Sequence, residues 1–383
     1  MDIKQYLEEC GFEESENDIN QILMNCAVDN NTEKATSVFR YADNNDITLD
    51  INRDFGDDFI LSWCSYHNNL DFVRMIIDHV NKHNVILDIN KKNDDKVYSL
   101  IWSTYNSNYE MTNSFINYAY GHGFVLEINE PDNGKQYPLL WSVNNDNMDL
   151  VRLLIDYGYR NNIILELNAK NEEGCFPLLG CSNNNNTEMM RLLLDYASRN
   201  NITLNINDKD EGGCYPLLKC IYNNNTEMVN LIIYYAREKN IVLELNEQEL
   251  LDYIANNDDE NSIKSISDIN KDIINALQMN KNENRINIIF PDDSELSKLF
   301  EENPALNNVP PSNGYNGPYN NYPYQMPCTP QNPYPYYNPY VNPMYYNQQP
   351  QYPPYQQPQY SQYQQPFPPY QQQQYQPYQQ QQY

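Results

Sequence analysis

An asparagine recurs along most of the chain at a nearly fixed interval. It closes a Leu-x-Ile-Asn or Leu-x-Leu-Asn run at Asn52, Asn90, Asn129, Asn168, Asn207 and Asn246, in steps of 38, 39, 39, 39 and 39 residues. A period of this size, held over six markers, signals a solenoid whose units bury apolar surface only against their neighbours. This constraint overrides length, since 383 residues would otherwise suggest two or three unrelated domains.

Each unit reads in three parts. An apolar segment led by proline comes first: Tyr137-Pro138-Leu139-Leu140, Phe176-Pro177-Leu178-Leu179 and Tyr215-Pro216-Leu217-Leu218. Proline suits the first turn of a helix, where its missing N–H would have had no partner. A run of asparagine follows and favours a turn over continuation. The second part starts at Thr187 or Thr226, read as N-caps, and places Met189, Met190, Leu193 and Leu194 at helical spacing. The third part, Ile202-x-Leu204-x-Ile206-Asn207, alternates with period two, which predicts an extended arm with one buried face. A glycine-bearing turn, Glu173-Gly174 or Gly212-Gly213, leads into the next unit.

These residues resemble the ankyrin repeat. Asn168-Ala169-Lys170-Asn171-Glu172-Glu173-Gly174-Cys175-Phe176-Pro177-Leu178 is similar to the family's Asn-Ala-x-Asp-x-x-Gly-x-Thr-Pro-Leu start, and Met148 to Gly158 is similar to its second helix. The resemblance spans roughly residues 20 to 250 and implies an all-α, ankyrin-type solenoid of about six helix-loop-helix repeats with extended arms. The units are 21–52, 53–90, 91–129, 130–168, 169–207 and 208–246, with an N-terminal capping segment at 1–20 and C-terminal capping helices over 247–302. Two departures stand out. Aromatic residues and leucine replace the family's threonine and histidine in Thr-Pro-Leu-His, so packing is expected where hydrogen-bond bracing is usual. The unit is also about six residues longer than the common one, the excess falling between the second helix and the arm.

From residue 303 the composition changes. Residues 304–383 contain no Asp, Glu, Lys or Arg, so the net charge of −28 lies on the first 303 residues. That tail holds 19 of the 24 prolines and 18 of the 35 tyrosines; it reads as a disordered low-complexity segment with a capacity for weak self-association. A strongly acidic body and an uncharged tail disfavour nucleic acid and favour a basic protein partner. No run approaches the ~20 apolar residues needed to span a bilayer. The first ten residues lack the apolar core of a secretory signal, so a soluble cytoplasmic protein without membrane insertion is expected.

The candidate chemistry is sparse. Cys64, Cys181 and Cys220 share one repeat position and Cys175 and Cys214 another, which suits small buried residues better than a disulfide framework. His79 and His83 have i, i+4 spacing that could hold a metal, but with no third ligand evident they read as a helix-surface pair. Glu33, Asp71, Glu110, Asp149, Glu188 and Glu227 sit where an anion complements a helix dipole. A second acidic series, Asp50, Asp88, Glu127, Glu166 and Glu244, lies on the polar side of the arms and reads as a solvated face. With no nucleophile motif, phosphate loop or metal signature, a non-catalytic protein without cofactor or metal is expected.

The resemblance implies partner binding on a concave side lined by turn tips and first helices. Matching position by position gives Lys170, Glu172 and Glu173, then Lys209 and Glu211, at the tips. Past the first helices it gives Tyr66 and His67, Tyr105 and Asn106, Asn144 and Asn145, Asn183 and Asn184, Tyr222 and Asn223. Trp63, Trp102 and Trp141 share another position, read first as stacking between repeats and second as binding anchors. The expected function is a protein–protein interaction scaffold; the alternative is a protein that self-associates through its tail.

Overall fold

The structure is a computed structural model that describes residues 18–302 apart from Asp57 and Asp258. The tail and nearly all of the expected N-terminal capping segment lie outside the described residues.

Short and long helices alternate. The pairs are α1 (Ile19–Val28) and α2 (Thr32–Asn44), α3 (Ile60–Tyr66) and α4 (Leu70–Lys82), and α5 (Ser99–Tyr105) and α6 (Tyr109–His122). They continue as α7 (Pro138–Asn144) and α8 (Met148–Asn161), α9 (Pro177–Asn183) and α10 (Thr187–Arg199), and α11 (Pro216–Tyr222) and α12 (Thr226–Lys239). Pro138, Pro177 and Pro216 each open a helix, as their fixed φ favours. The pairs stack through leucine, isoleucine, methionine and valine, and Leu139, Leu150, Leu178, Met189, Leu217 and Met228 are all fully or almost fully buried.

The asparagine run between paired helices divides three tasks among neighbours. In the fifth pair, Asn184 is the C-cap of α9, and its Nδ2 donates back to the carbonyls of Val143 (2.7 Å) and Asn144 (3.3 Å). Asn185 turns the chain at φ +52°, a left-handed conformation that asparagine tolerates. Asn186 is the N-cap of α10, its Oδ1 accepting from Met189 N–H at 2.8 Å. The expected cap, Thr187, is instead the first helical residue, and Thr226 likewise follows its cap, Asn225. Asparagine is the better N-cap, and its amide has a donor to spare for the preceding repeat.

After each second helix the chain runs as an arm with alternating burial, and these arms are tied by side chains. Asn129 donates through Nδ2 to Ile164 O (2.7 Å) and accepts at Oδ1 from Glu166 N–H (3.2 Å). Asn52, Asn90, Asn168 and Asn207 bridge to the following arm in the same way. The recurring asparagine is therefore a carboxamide rung that satisfies one donor and one acceptor of the next arm. A tyrosine from the following second helix takes the neighbouring donor: Leu87, Leu126, Leu165 and Leu204 N–H donate to Tyr118, Tyr157, Tyr196 and Tyr235 at 2.7–3.1 Å. His79 fills that place for Leu49.

At the C-terminal end backbone replaces side chain. Strand β1 (Leu243–Asn246) pairs in parallel with β2 (Ile286–Ile289), Leu243 opposite Ile286. Freed from bridging, Asn246 caps α13 (Glu247–Asn256). A 3₁₀ turn (Ile266–Asp268), α14 (Lys271–Asn282) and α15 (Glu295–Glu302) complete this end. The fully buried carboxylate of Glu247 accepts from Glu295 N–H, Leu296 N–H and Ser294 Oγ–H, neutralising the positive end of α15.

Candidate partner-binding face

The first helices α3, α5 and α7 present two outward positions three residues apart, which lie on one helical face. In α3, α5 and α7 the first of these is Trp63, Trp102 and Trp141, and in α3 and α5 the second is Tyr66 and Tyr105. Within a helix, Trp63 meets Tyr66 at 5.7 Å and Trp102 meets Tyr105 at 5.7 Å, both edge to face. Between helices, Tyr66 meets Trp102 at 4.9 Å and Tyr105 meets Trp141 at 4.8 Å, again edge to face. Five rings thus form one continuous series across three repeats, in the geometry that aromatic quadrupoles favour. Tryptophan does not stack on tryptophan here; a tyrosine stands between each pair. Tyr66 and Tyr105 remain 45% and 44% exposed, so rings held on both sides still offer a large free surface.

The series ends at α9. Gly180 occupies the tryptophan position, where a Cβ would come within 2.8 Å of Asn144 Oδ1 and 2.9 Å of Val143 Cγ1. In α11 the position holds Lys219, whose Nζ lies 4.9 Å from the Tyr222 ring and 5.3 Å from that of Tyr253, and burial lowers its pKa. Tyr222 is buried beneath Tyr253, while Asn144 is half-buried and Asn183 exposed.

The C-cap residues behave alike. The side chains of Asn106, Asn145 and Asn223, like Asn184, donate to carbonyls at the end of the preceding first helix, at 2.8 Å in each closest case. His67 Nε2 lies 2.9 Å from Val28 O. These amides join repeats, leaving ring edges and helix ends as the free surface. At the tips, Glu172, Glu173 and Glu211 are exposed. Lys170 and Lys209 bridge onward instead, to Asp208 (3.0 Å) and Glu249 (2.6 Å). Backbone bonds chain successive tips, Glu172 N–H to Gly134 O and Glu211 N–H to Glu173 O. Gly174 permits this approach: its φ is +78°, and a Cβ would meet Asp210 Cα at 2.8 Å.

The family model for ankyrin repeats matches three copies over residues 100–206. Residues 100–206 are ankyrin repeats. The chain is also similar to the crystal structure of EF0377, an ankyrin repeat protein, at 16% identity and a TM-score of 0.41, covering 57% of this chain and 98% of that one. No curated protein matches the sequence. Ankyrin repeats are generally protein–protein interaction modules, and among the described residues no helix is long and apolar enough to cross a membrane.

The repeats depart from the expected loss of bracing. From α3 onward the aromatic residue before each first helix makes no capping bond, yet where it is tyrosine its hydroxyl reaches the following repeat: Tyr137 donates to Ala169 O (3.0 Å) and Tyr98 to Glu130 O (3.0 Å) and Glu127 O. Tyr215 accepts from Asn246 N–H at 3.2 Å. Phe59 and Phe176, which carry no hydroxyl, are buried and lie beneath Lys91 and Lys170, whose Nζ atoms are 5.5 and 5.8 Å from the ring centres.

The histidine pair also differs from expectation. Both side chains are almost completely buried, and Asp43 of α2 joins them, its Oδ1 3.2 Å from His79 Nδ1 and 3.6 Å from His83 Nε2. The donor set nevertheless does not fit a metal. Leu49 N–H, which can only donate, meets His79 Nε2 at 3.0 Å, so Nε2 keeps its lone pair and Nδ1 carries the proton given to Asp43. Lys82 occupies the other carboxylate oxygen at 3.2 Å. Sequence spacing could not reveal Asp43, which lies 36 residues away on another helix.

Proposed function

We propose that the chain is a non-catalytic interaction scaffold. Its repeats, over about 21–246 and flanked by capping segments, hold a protein partner against the first-helix face. The observation that carries this reading is the Trp63–Tyr66–Trp102–Tyr105–Trp141 series, whose exposed tyrosines are fixed by ring contacts before any partner arrives. Rings already ordered lose little entropy on binding, and tyrosine and tryptophan dominate interface energetics. The exposed carboxylates at the tips favour a partner with basic groups at the rim.

Non-catalytic action is supported by the state of the nucleophiles. Burial pushes the thiols of Cys175, Cys214 and Cys220 up to about 12, 11 and 12, so they stay protonated at neutral pH. The cleft beside Lys209, Tyr215 and Glu249 holds about 50 Å³, well below the ~300–1,000 Å³ of ligand pockets. Free thiols at Cys26, Cys64, Cys181 and Cys220 suit the reducing cytoplasm.

The test is affinity capture with the full chain beside a Tyr66→Ala/Tyr105→Ala variant whose circular dichroism matches. A partner bound at this face should weaken by about 2 kcal/mol or more, roughly 30-fold. Identical capture by both proteins would defeat the proposal.

A further inference from the structure

The arms carry a second outward surface, separate from the first-helix face. Along each arm burial alternates, so the buried Leu87, Leu126, Leu165 and Leu243 are each flanked by outward residues. On one flank stand Ile86, Val125, Ile164 and Val242, which are 66%, 50%, 56% and 51% exposed. On the other flank, facing the same way, stand Asp88, Glu127, Glu166 and Glu244, all exposed. The carbonyl of each aliphatic residue is held by the asparagine of the preceding arm, at 2.7 Å for Ile86 and Ile164 and 2.8 Å for Val125 and Val242. Like residues are therefore locked beside like. An aliphatic lane and an acidic lane run side by side across three successive arms. They are interrupted by Thr203 and Asn205 and resume at the next arm.

A single exposed aliphatic side chain needs no explanation. Three at one structural position in successive arms, each at least half exposed, form a patch of the kind that marks interaction. The neighbouring lane adds charge repulsion, relieved at Glu127, where Lys92 lies 2.5 Å away. What covers both lanes must bring apolar groups and positive charge together.

We infer that the arm face binds a basic amphipathic helix of a protein partner. Its apolar side lies on Ile86, Val125 and Ile164, and its lysines or arginines reach Asp88, Glu127 and Glu166. Spacing favours a helix lying across the arms. Packed helices, and hence successive repeats, lie about 8–10 Å apart, and two turns of a partner helix advance about 10.8 Å. An apolar residue every seventh position then meets one lane member per repeat.

The repeat with Thr203 and Asn205 folds with polar residues at both lane positions, which supplies substitutions the fold already accepts. The experiment uses the full chain and a fluorescent three-heptad Leu/Lys helix, with a scrambled peptide of the same composition and a Leu/Glu helix as comparisons. Anisotropy at physiological ionic strength should show the patterned Leu/Lys helix binding at least ten-fold more tightly than the scrambled one, and the Leu/Glu helix not at all. Ile86→Thr/Val125→Thr/Ile164→Thr should weaken binding at least ten-fold. Asp88→Asn/Glu166→Asn should weaken it similarly and flatten its salt dependence. Trp102→Ala should leave it unchanged, which separates this surface from the first-helix face. Equal binding of patterned and scrambled peptides, indifference to the aliphatic triple variant, or no binding would overturn the inference. So would a concentration-dependent dimer in sedimentation that the aliphatic variant abolishes, since a second copy would then be the occupant.

Discussion

Replacing Asn129 probes the joint between arms most directly. Its carboxamide makes two bonds to the following arm, to Ile164 O and from Glu166 N–H. A typical intramolecular hydrogen bond contributes about 0.5–1.5 kcal/mol net. Both bonds are solvent-exposed, so water can take over each partner, and Asn129→Ala should cost about 1–2 kcal/mol. For a domain of this size that lowers Tm by roughly 2–8 °C. Asn129→Asp sharpens the test, because it keeps the acceptor for Glu166 N–H but sets a carboxylate oxygen against the Ile164 carbonyl. At neutral pH it should be less stable than the alanine variant. Below pH about 4 the side chain protonates, regains a donor, and the order should reverse. Thermal melts of both variants at neutral and acid pH, with Asn230→Ala on the exposed side of α12 as reference, give the comparison. If Asn129→Ala melts with Asn230→Ala, or the aspartate variant never falls below alanine, the rungs contribute nothing and the reasoning fails.

Gly174→Ala should destabilise clearly more than Gly213→Ala: both glycines have positive φ (+78° and +80°), but only at Gly174 would the added methyl strike the neighbouring tip. Denaturant midpoints of the two variants decide this, and equal losses would mean that backbone conformation alone accounts for both. The first repeat junction should weaken in mild acid. His79 is neutral in the fold and burial, aided by the nearby His83, holds its pKa below the ordinary value. The unfolded chain binds this proton first, near pH ~6.5, so the stability present at neutral pH declines as pH falls through that value towards the folded pKa. His79→Tyr, the residue used at Tyr118, Tyr157, Tyr196 and Tyr235, should reduce the loss between pH 7.5 and 5.5 measured by urea unfolding. The same loss in both proteins would rule His79 out as its source.

Much of the helical frame was legible because helix and arm announce themselves by periodicity, and Pro138, Pro177 and Pro216 mark starts by local geometry alone. The spacing of Asn52 to Asn246 gave the repeat, yet not why asparagine stands there. A carboxamide that bridges 35 residues ahead leaves no local trace, and nor does the tyrosine hydroxyl that meets Leu126 N–H from 31 residues away. The cap at Asn186 rather than Thr187 has the same root, since both residue types cap helices and the amide donor that sets asparagine apart is spent on Asp146, 40 residues away. At the candidate face, the shared position of the tryptophans was plain in the sequence. That Tyr66 and Tyr105 would interleave with them follows from helix phase combined with repeat offset, which no single window of sequence contains.

The asparagine rungs also bear on how such a chain could change length. Every joint from Asn52 to Asn207 uses the same two atoms toward the same two backbone groups. Excising one whole 39-residue block, such as 130–168, would bring Asn129 opposite Thr203 and Asn205, which already serve Asn168 in that way. Cuts that do not span whole units would present mismatched partners. The rungs are thus indifferent to copy number but strict about phase, so evolution or an engineer can splice the array by the block and leave every asparagine bridge paired.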